Sequence, residues 1–273
     1  MTIFLKTQNN MILFNENDII NPDSFLKFCN DNNFCYIKTD FFYLNSQFPW
    51  RGVIHPTKID NVCVIGHSDY PVVDEISSRF KTIFCVNKVT KNPNTFGIPL
   101  GITSDCNDSP LHRIYGNKKI MVDVSNEDIQ KTNLVYLNFS INTYPQLRQL
   151  VYNKFSKEKW VKIGGIEPTI DGRKKYLQEI KSSKFVLCPR GNGIDTHRIW
   201  EALYMGSIPI VIYEETHHLL NDLPILFINN WDEVTYDFLN QKYEEMITKD
   251  WSFDKLKMSY WENFIKEKIS ENK

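Results

Sequence analysis

Short, nearly continuous apolar runs alternate along this chain with segments whose apolar positions recur every three or four residues. The runs CYIK (35–38), NVCVIG (61–66) and TIFCVN (82–87) predict strands, NVCVIG a buried one. VVDEISSRF (72–80), between the last two, has helical spacing. From Val89 to Lys119 the chain is rich in Asn, Pro and Gly, which predicts irregular structure late in a first domain.

A second series opens at Asn133. Strands are predicted at NLVYLNF (133–139), WVKIGG (160–165), KFVLCP (184–189), SIPIVIY (207–213) and PILFIN (224–229). Helices are predicted at PQLRQLVYNKF (145–155), GRKKYLQEIKSS (172–183) and THRIWEALYM (196–205). Such alternation marks an α/β protein with parallel sheets, and these strands suffice for one Rossmann-like layer. The polar stretch SNEDIQKTN (125–133) sets the boundary between domains 1–130 and 131–250. Beyond Trp231 the pattern is helical, and 251–273, with Trp251, Phe253, Tyr260, Trp261 and Phe264, predicts a bulky closing helix.

The 273 residues, 42% of them apolar, are enough for two cores. The 32 basic and 33 acidic side chains nearly cancel, so no whole-molecule field draws nucleic acid or an anionic membrane, and any anion site must be local. Six cysteines without a C-x-x-C pair, mostly in apolar surroundings, read as thiols of a reducing compartment. The start MTIFLKTQNNMILF lacks the pattern of a signal peptide, and no apolar run approaches the ~20 residues of a membrane span. The expectation is a cytoplasmic protein.

The candidate chemistry lies in CPRGNGIDTHRIWEALYMGSIPIV (188–211). Pro189 ends a strand, and Gly191 and Gly193 around Asn192 let backbone amides approach a ligand. Asp195 or Thr196 then caps a helix, whose free amides and dipole suit an anion. A helix start offers only roughly half a positive charge. A nucleoside diphosphate needs more, and Arg190 and Arg198 stand where charge-assisted bonds worth about 1.5–3 kcal/mol each would supply it. Pairing with surface carboxylates is the alternative for both. His197 and Glu201, four apart, share a helix face. Glu201 can accept two ribose hydroxyls or sit as a solvated carboxylate; His197 can touch ligand or bridge loop and helix. Gly191, Gly193 and Thr196 match the dinucleotide pattern G-x-G-x-x-G only in part, and no D-x-D occurs to hold a divalent metal, so neutralisation without metal is expected.

KFVLCPRGNGIDTHRIWEALYMGSIPIV resembles the signature of exostosin-like glycosyltransferases, glycosyltransferase family 47 and its relatives, densely over 176–212 and more thinly over 133–165, NVCVIGHSDYP and FGIPLGI. The resemblance implies the GT-B architecture of two Rossmann-like domains, the acceptor on the N-terminal one, the donor on the C-terminal one, and a final helix crossing back. It sets Arg190 and Arg198 near the diphosphate and Glu201 on the ribose. Relatives with a pair of glutamates carry the first at position 193, which here is glycine. With no anchor expected, the compact, Asn-, Ile- and Lys-rich chain looks like the soluble exostosin-like enzymes of large DNA viruses.

The activity so implied is an inverting, metal-independent transfer of a sugar, xylose as first expectation, from a nucleoside-diphosphate donor, UDP-linked, to a sugar hydroxyl of a growing glycan, with no cofactor. Such a step needs a base. GHSDYP (66–71) follows a predicted strand, at the end where α/β sites form, and offers His67, whose ordinary pKa of roughly 6.5 suits the task, and Asp69. Asp105 and Asp108 are in reserve. The competing readings are a nucleotide-sugar or glycan-binding module without catalysis and an NAD-dependent oxidoreductase.

Overall fold

The computed structural model of the protein describes residues 14–39, 62–69, 71, 80–105 and 109–272. Asp108 and, apart from Phe80, the helix expected over 72–80 lie outside the described residues.

Helix α1 (Pro22–Asn32) opens with Asn21, whose side chain accepts the Ser24 amide at 2.9 Å, and closes on Asn33 in the left-handed region. Strands β1 (Cys35–Thr39), β2 (Val62–Ser68), β3 (Thr82–Cys85) and β4 (Thr95–Gly97) form a parallel sheet in that order. Along β2, Val62 and Val64 enter one core while Cys63 and Ile65 enter another, so both faces are covered and the run is uniformly apolar.

The stretch 89–119 departs from the irregular structure expected of it. It holds β4, helix α2 (Pro110–Tyr115) and the start of α3 (Lys118–Ser125). Three residues are too few for a periodic signal, and β4 is defined by the open parallel edge of β3. The helices start from side-chain caps: Ser109 accepts from Leu111 and Asn117 from Ile120.

A second parallel sheet has the order β6-β5-β7-β8-β9, from β5 (Asn133–Leu137), β6 (Val161–Ile163), β7 (Ser183–Leu187), β8 (Ile208–Ile212) and β9 (Leu226–Ile228). Helices α4 (Pro145–Phe155), α5 (Ile170–Lys181) and α6 (His197–Tyr204) are its crossovers, and α7 (Tyr236–Ile247) covers one face. Gly206, at φ +65, ends α6, its amide bonding to the Leu203 carbonyl at 3.0 Å.

One core joins the two sheets. It contains Val64 and Phe84 of the first, Tyr136 and Val186 of the second, Trp200 of α6 and Trp261 of α8 (Met258–Glu271). Helix α8 returns to the first sheet: Phe264 sets its edge against Phe84 and Phe96, and Asn272 donates to Thr82. Among the described residues no helix is long and apolar enough to cross a membrane.

Candidate functional site

Between the sheets lies a cleft of about 450 Å³. Asp69, just past β2, and Leu100, Thr103 and Tyr115 line it on the N-terminal side. Opposite stand residues following β5 (Asn138, Ser140), β6 (Gly165 to Glu167) and β7 (Gly191 to Arg198, except Ile194), with Arg148, Arg173, Tyr176 and Glu201. The cleft is therefore at the carboxyl ends of parallel strands, where side chains from separate crossovers converge.

The loop after β7 is held from beneath by Arg148, which sits in the apolar stripe of α4 with Val151 and Phe155 and is buried. Its guanidinium donates to the Arg190, Pro189 and Ser140 carbonyls at 2.9, 3.2 and 2.8 Å, and to Thr143 Oγ1. Burial, then neighbouring Arg198, lowers its pKa to about 10, so it stays charged at neutral pH. A Cβ on Gly191 would come within 2.9 Å of this group.

The N-terminal half holds the same loop from the other side. Asn87 Oδ1 accepts the Ile194 and Asp195 amides at 2.9 and 2.8 Å. Asp195 accepts from the Leu100 amide and from Trp200 Nε1, each at 2.9 Å. His197 Nδ1 meets the Gly101 carbonyl at 2.8 Å, and Asn192 donates to Asp69 at 3.2 Å. The loop thus differs from the open amide cradle expected of it. The amides of Gly191, Ile194 and Asp195 all serve protein acceptors. Neither Gly191 nor Gly193 has a left-handed φ; what they supply is room, since a Cβ on Gly193 would lie 2.8 Å from Asn87 Nδ2.

Capping also differs. Thr196 is the N-cap of α6 but makes no capping bond, and its hydroxyl is buried, with no hydrogen-bond partner among the described residues. Asp195 is turned to Leu100 and Trp200; burial, against those N–H donors, raises its carboxyl pKa to about 6. Burial depresses His197 in spite of the Gly101 carbonyl, so its ring is neutral at neutral pH. Donation to that carbonyl assigns the proton to Nδ1.

The two loop arginines part company. Arg198 lines the cleft against the Phe139 ring, with no hydrogen bond or ion pair to its guanidinium among the described residues and its Nε buried. Arg190 leaves the cleft. It lies over Tyr144, donates to the Asn192 carbonyl at 3.2 Å and stands 3.6 Å from Glu214, beside a separate cavity of about 40 Å³.

One turn beyond Arg198, Glu201 is buried between Arg173 Nη1 at 2.6 Å and the Tyr176 hydroxyl at 2.7 Å. Burial alone would raise its pKa, but Arg173, Tyr176 and Arg198 outweigh it and hold the carboxyl below its ordinary value. Arg173 also lies over the Tyr115 and Tyr176 rings. On the opposite wall, Asp69 lines the cleft while His67, half-buried on β2, does not.

Asn87, Arg148 and Arg173 are absent from the sequence-derived site. A signal existed for the arginines: Arg148 shares a stripe with Val151 and Phe155, Arg173 with Leu177 and Ile180, and a charge at a core position implies a buried partner. Asn87 had none, because its loop partners, Ile194 and Asp195, are over 100 residues away.

Residues 145–272 match the family model described as RXYLT1 C-terminal domain. The chain is also 29% identical over 107 residues to a probable glycosyltransferase of Arabidopsis thaliana, a match covering 39% of this chain and 21% of that relative. The segment that carries α4 to α8, with Arg148, Arg173, Arg198 and Glu201, is thus similar to the RXYLT1 C-terminal domain.

Proposed function

We propose that this chain is a glycosyltransferase that moves a sugar from a nucleoside-diphosphate donor, UDP-linked and with xylose as first candidate, to a sugar hydroxyl of a growing glycan. The proposal includes the GT-B arrangement, with 1–130 as the acceptor side, 131–250 as the donor side and 251–273 returning. One observation carries it. At the start of α6, Arg198 and Thr196 line the cleft, the Arg198 guanidinium and the buried Thr196 hydroxyl have no hydrogen-bond partner among the described residues, and an unsatisfied buried polar group is costly unless a ligand answers it.

In this reading the diphosphate lies at the start of α6 against Arg198 and Thr196. The ribose hydroxyls reach Glu201, whose oxygens keep acceptor capacity after Arg173 and Tyr176 are served. Gly191, Asn192, Gly193, Asp195 and His197 hold that geometry, and Arg190, turned to Glu214, takes no part. The acceptor hydroxyl attacks the anomeric carbon opposite the diphosphate. As that bond forms, the bond from the anomeric carbon to the diphosphate oxygen breaks, and the hydroxyl proton passes to Asp69. Helix dipole and guanidinium take the leaving charge without a divalent ion, and single displacement inverts the centre.

The test is calorimetry with UDP and GDP, then product analysis with UDP-sugars and saccharide acceptors in EDTA. UDP binding and transfer with inverted linkage are expected. Failure of both nucleotides to bind overturns the proposal, and donor binding with no transfer to any acceptor reduces it to a binding module.

A further inference from the structure

Asn87 does not line the cleft but bonds to segments on both of its walls. It follows β3 at φ +53, in the left-handed region that asparagine tolerates better than other side-chain-bearing residues, and it is completely buried. Three of the four hydrogen-bonding capacities of its amide are engaged. Oδ1 accepts two consecutive amides, Ile194 and Asp195, and Nδ2 donates to the Ser68 carbonyl at 2.6 Å.

The two ends of this side chain lead to opposite walls. Ser68 directly precedes Asp69, and Ile194 and Asp195 directly precede Thr196, His197 and Arg198. Asn87 also stands where a side chain on residue 193 would lie, which makes glycine there a consequence of its position. The Asn192 side chain, which donates to Asp69 at 3.2 Å, is the other link between these two segments described above, and it is exposed where Asn87 is buried.

We infer that Asn87 is a positioning residue, which sets the separation between the proton-accepting Asp69 and the anion-holding start of α6. The inference rests on the donor-site reading above. Its two halves can be separated by substitution. Asn87→Asp keeps an oxygen for the two loop amides and tolerates the left-handed backbone, but has no N–H for Ser68. Asn87→Gly keeps the backbone conformation and removes both links.

The experiment measures UDP affinity, donor KM and kcat for the wild type and both variants, with hydrogen exchange of the Ile194 and Asp195 amides and circular dichroism as the fold control. For Asn87→Asp we expect UDP affinity and amide protection within about threefold of wild type and kcat down about tenfold. For Asn87→Gly we expect faster exchange at both amides, at least tenfold weaker UDP binding and a lower kcat. Equal losses of active fraction in both variants, with donor KM and UDP affinity unchanged, would show a merely structural role and overturn the inference. So would a folded Asn87→Gly protein with wild-type affinity and kcat. A wild type that binds no nucleotide overturns the donor-site reading itself, and this inference with it.

Discussion

Arg173 and Glu201 form an ion pair 2.6 Å long in which both side chains are almost completely excluded from solvent. Tyr176 completes the carboxylate's partners at 2.7 Å. Removing one partner of such a pair leaves an uncompensated charge in a medium that solvates it poorly, a loss of about 3–5 kcal/mol. Glu201→Ala should therefore destabilise the protein by that amount in urea unfolding, besides weakening nucleotide binding. A loss below about 1 kcal/mol would mean that water already reaches Arg173.

Arg198 has no bonded protein partner among the described residues, so its loss should act on ligand rather than fold. Arg198→Gln should leave the unfolding midpoint nearly unchanged while weakening UDP binding at least tenfold, as expected for one charge-assisted bond of about 1.5–3 kcal/mol. Calorimetry beside urea titration checks both halves. Unchanged affinity would remove the guanidinium from the anion site.

Arg190 gives the contrast. Its partners are a partly exposed Glu214 at 3.6 Å and the Asn192 carbonyl. Arg190→Ala should cost less than about 1 kcal/mol of stability, as exposed pairs do, and change UDP affinity by less than about threefold. A tenfold loss would show that Arg190 swings into the cleft when donor binds.

Asp195 should make stability depend on pH. Its carboxyl is raised from 3.8 to about 6 in the folded protein by burial. Between these values the folded state holds a proton that the unfolded chain has released, so stability falls as pH rises through this window. The full difference is at most about 3 kcal/mol. It is present below the lower value and lost above the higher one. Urea midpoints at several pH values should show that slope in the wild type and lack it in Asp195→Asn, which still offers an oxygen to Leu100. An unchanged slope in the variant would assign it to another group.

The parallel strands were legible in the chain because burial on both faces leaves an imprint that needs no neighbour to be read: Val64 and Ile65 are both apolar since each meets a core. The glycine loop, the helix after it and the cleft-facing Arg198 and Glu201 were equally open to local reading, as their spacing along one segment carries the chemistry, and the place of Asp69 was readable from its position just past the apolar run of β2. Only the tertiary structure decided that β4 is a strand, that Arg190 turns to Glu214, that His67 stays off the cleft, and that Asn87 and Arg148 hold the loop. The physical reason is range. Periodicity records whether a position is buried. Which donor meets which acceptor depends on atoms brought together from distant parts of the chain, as the Asn87 oxygen and the Asp195 amide are.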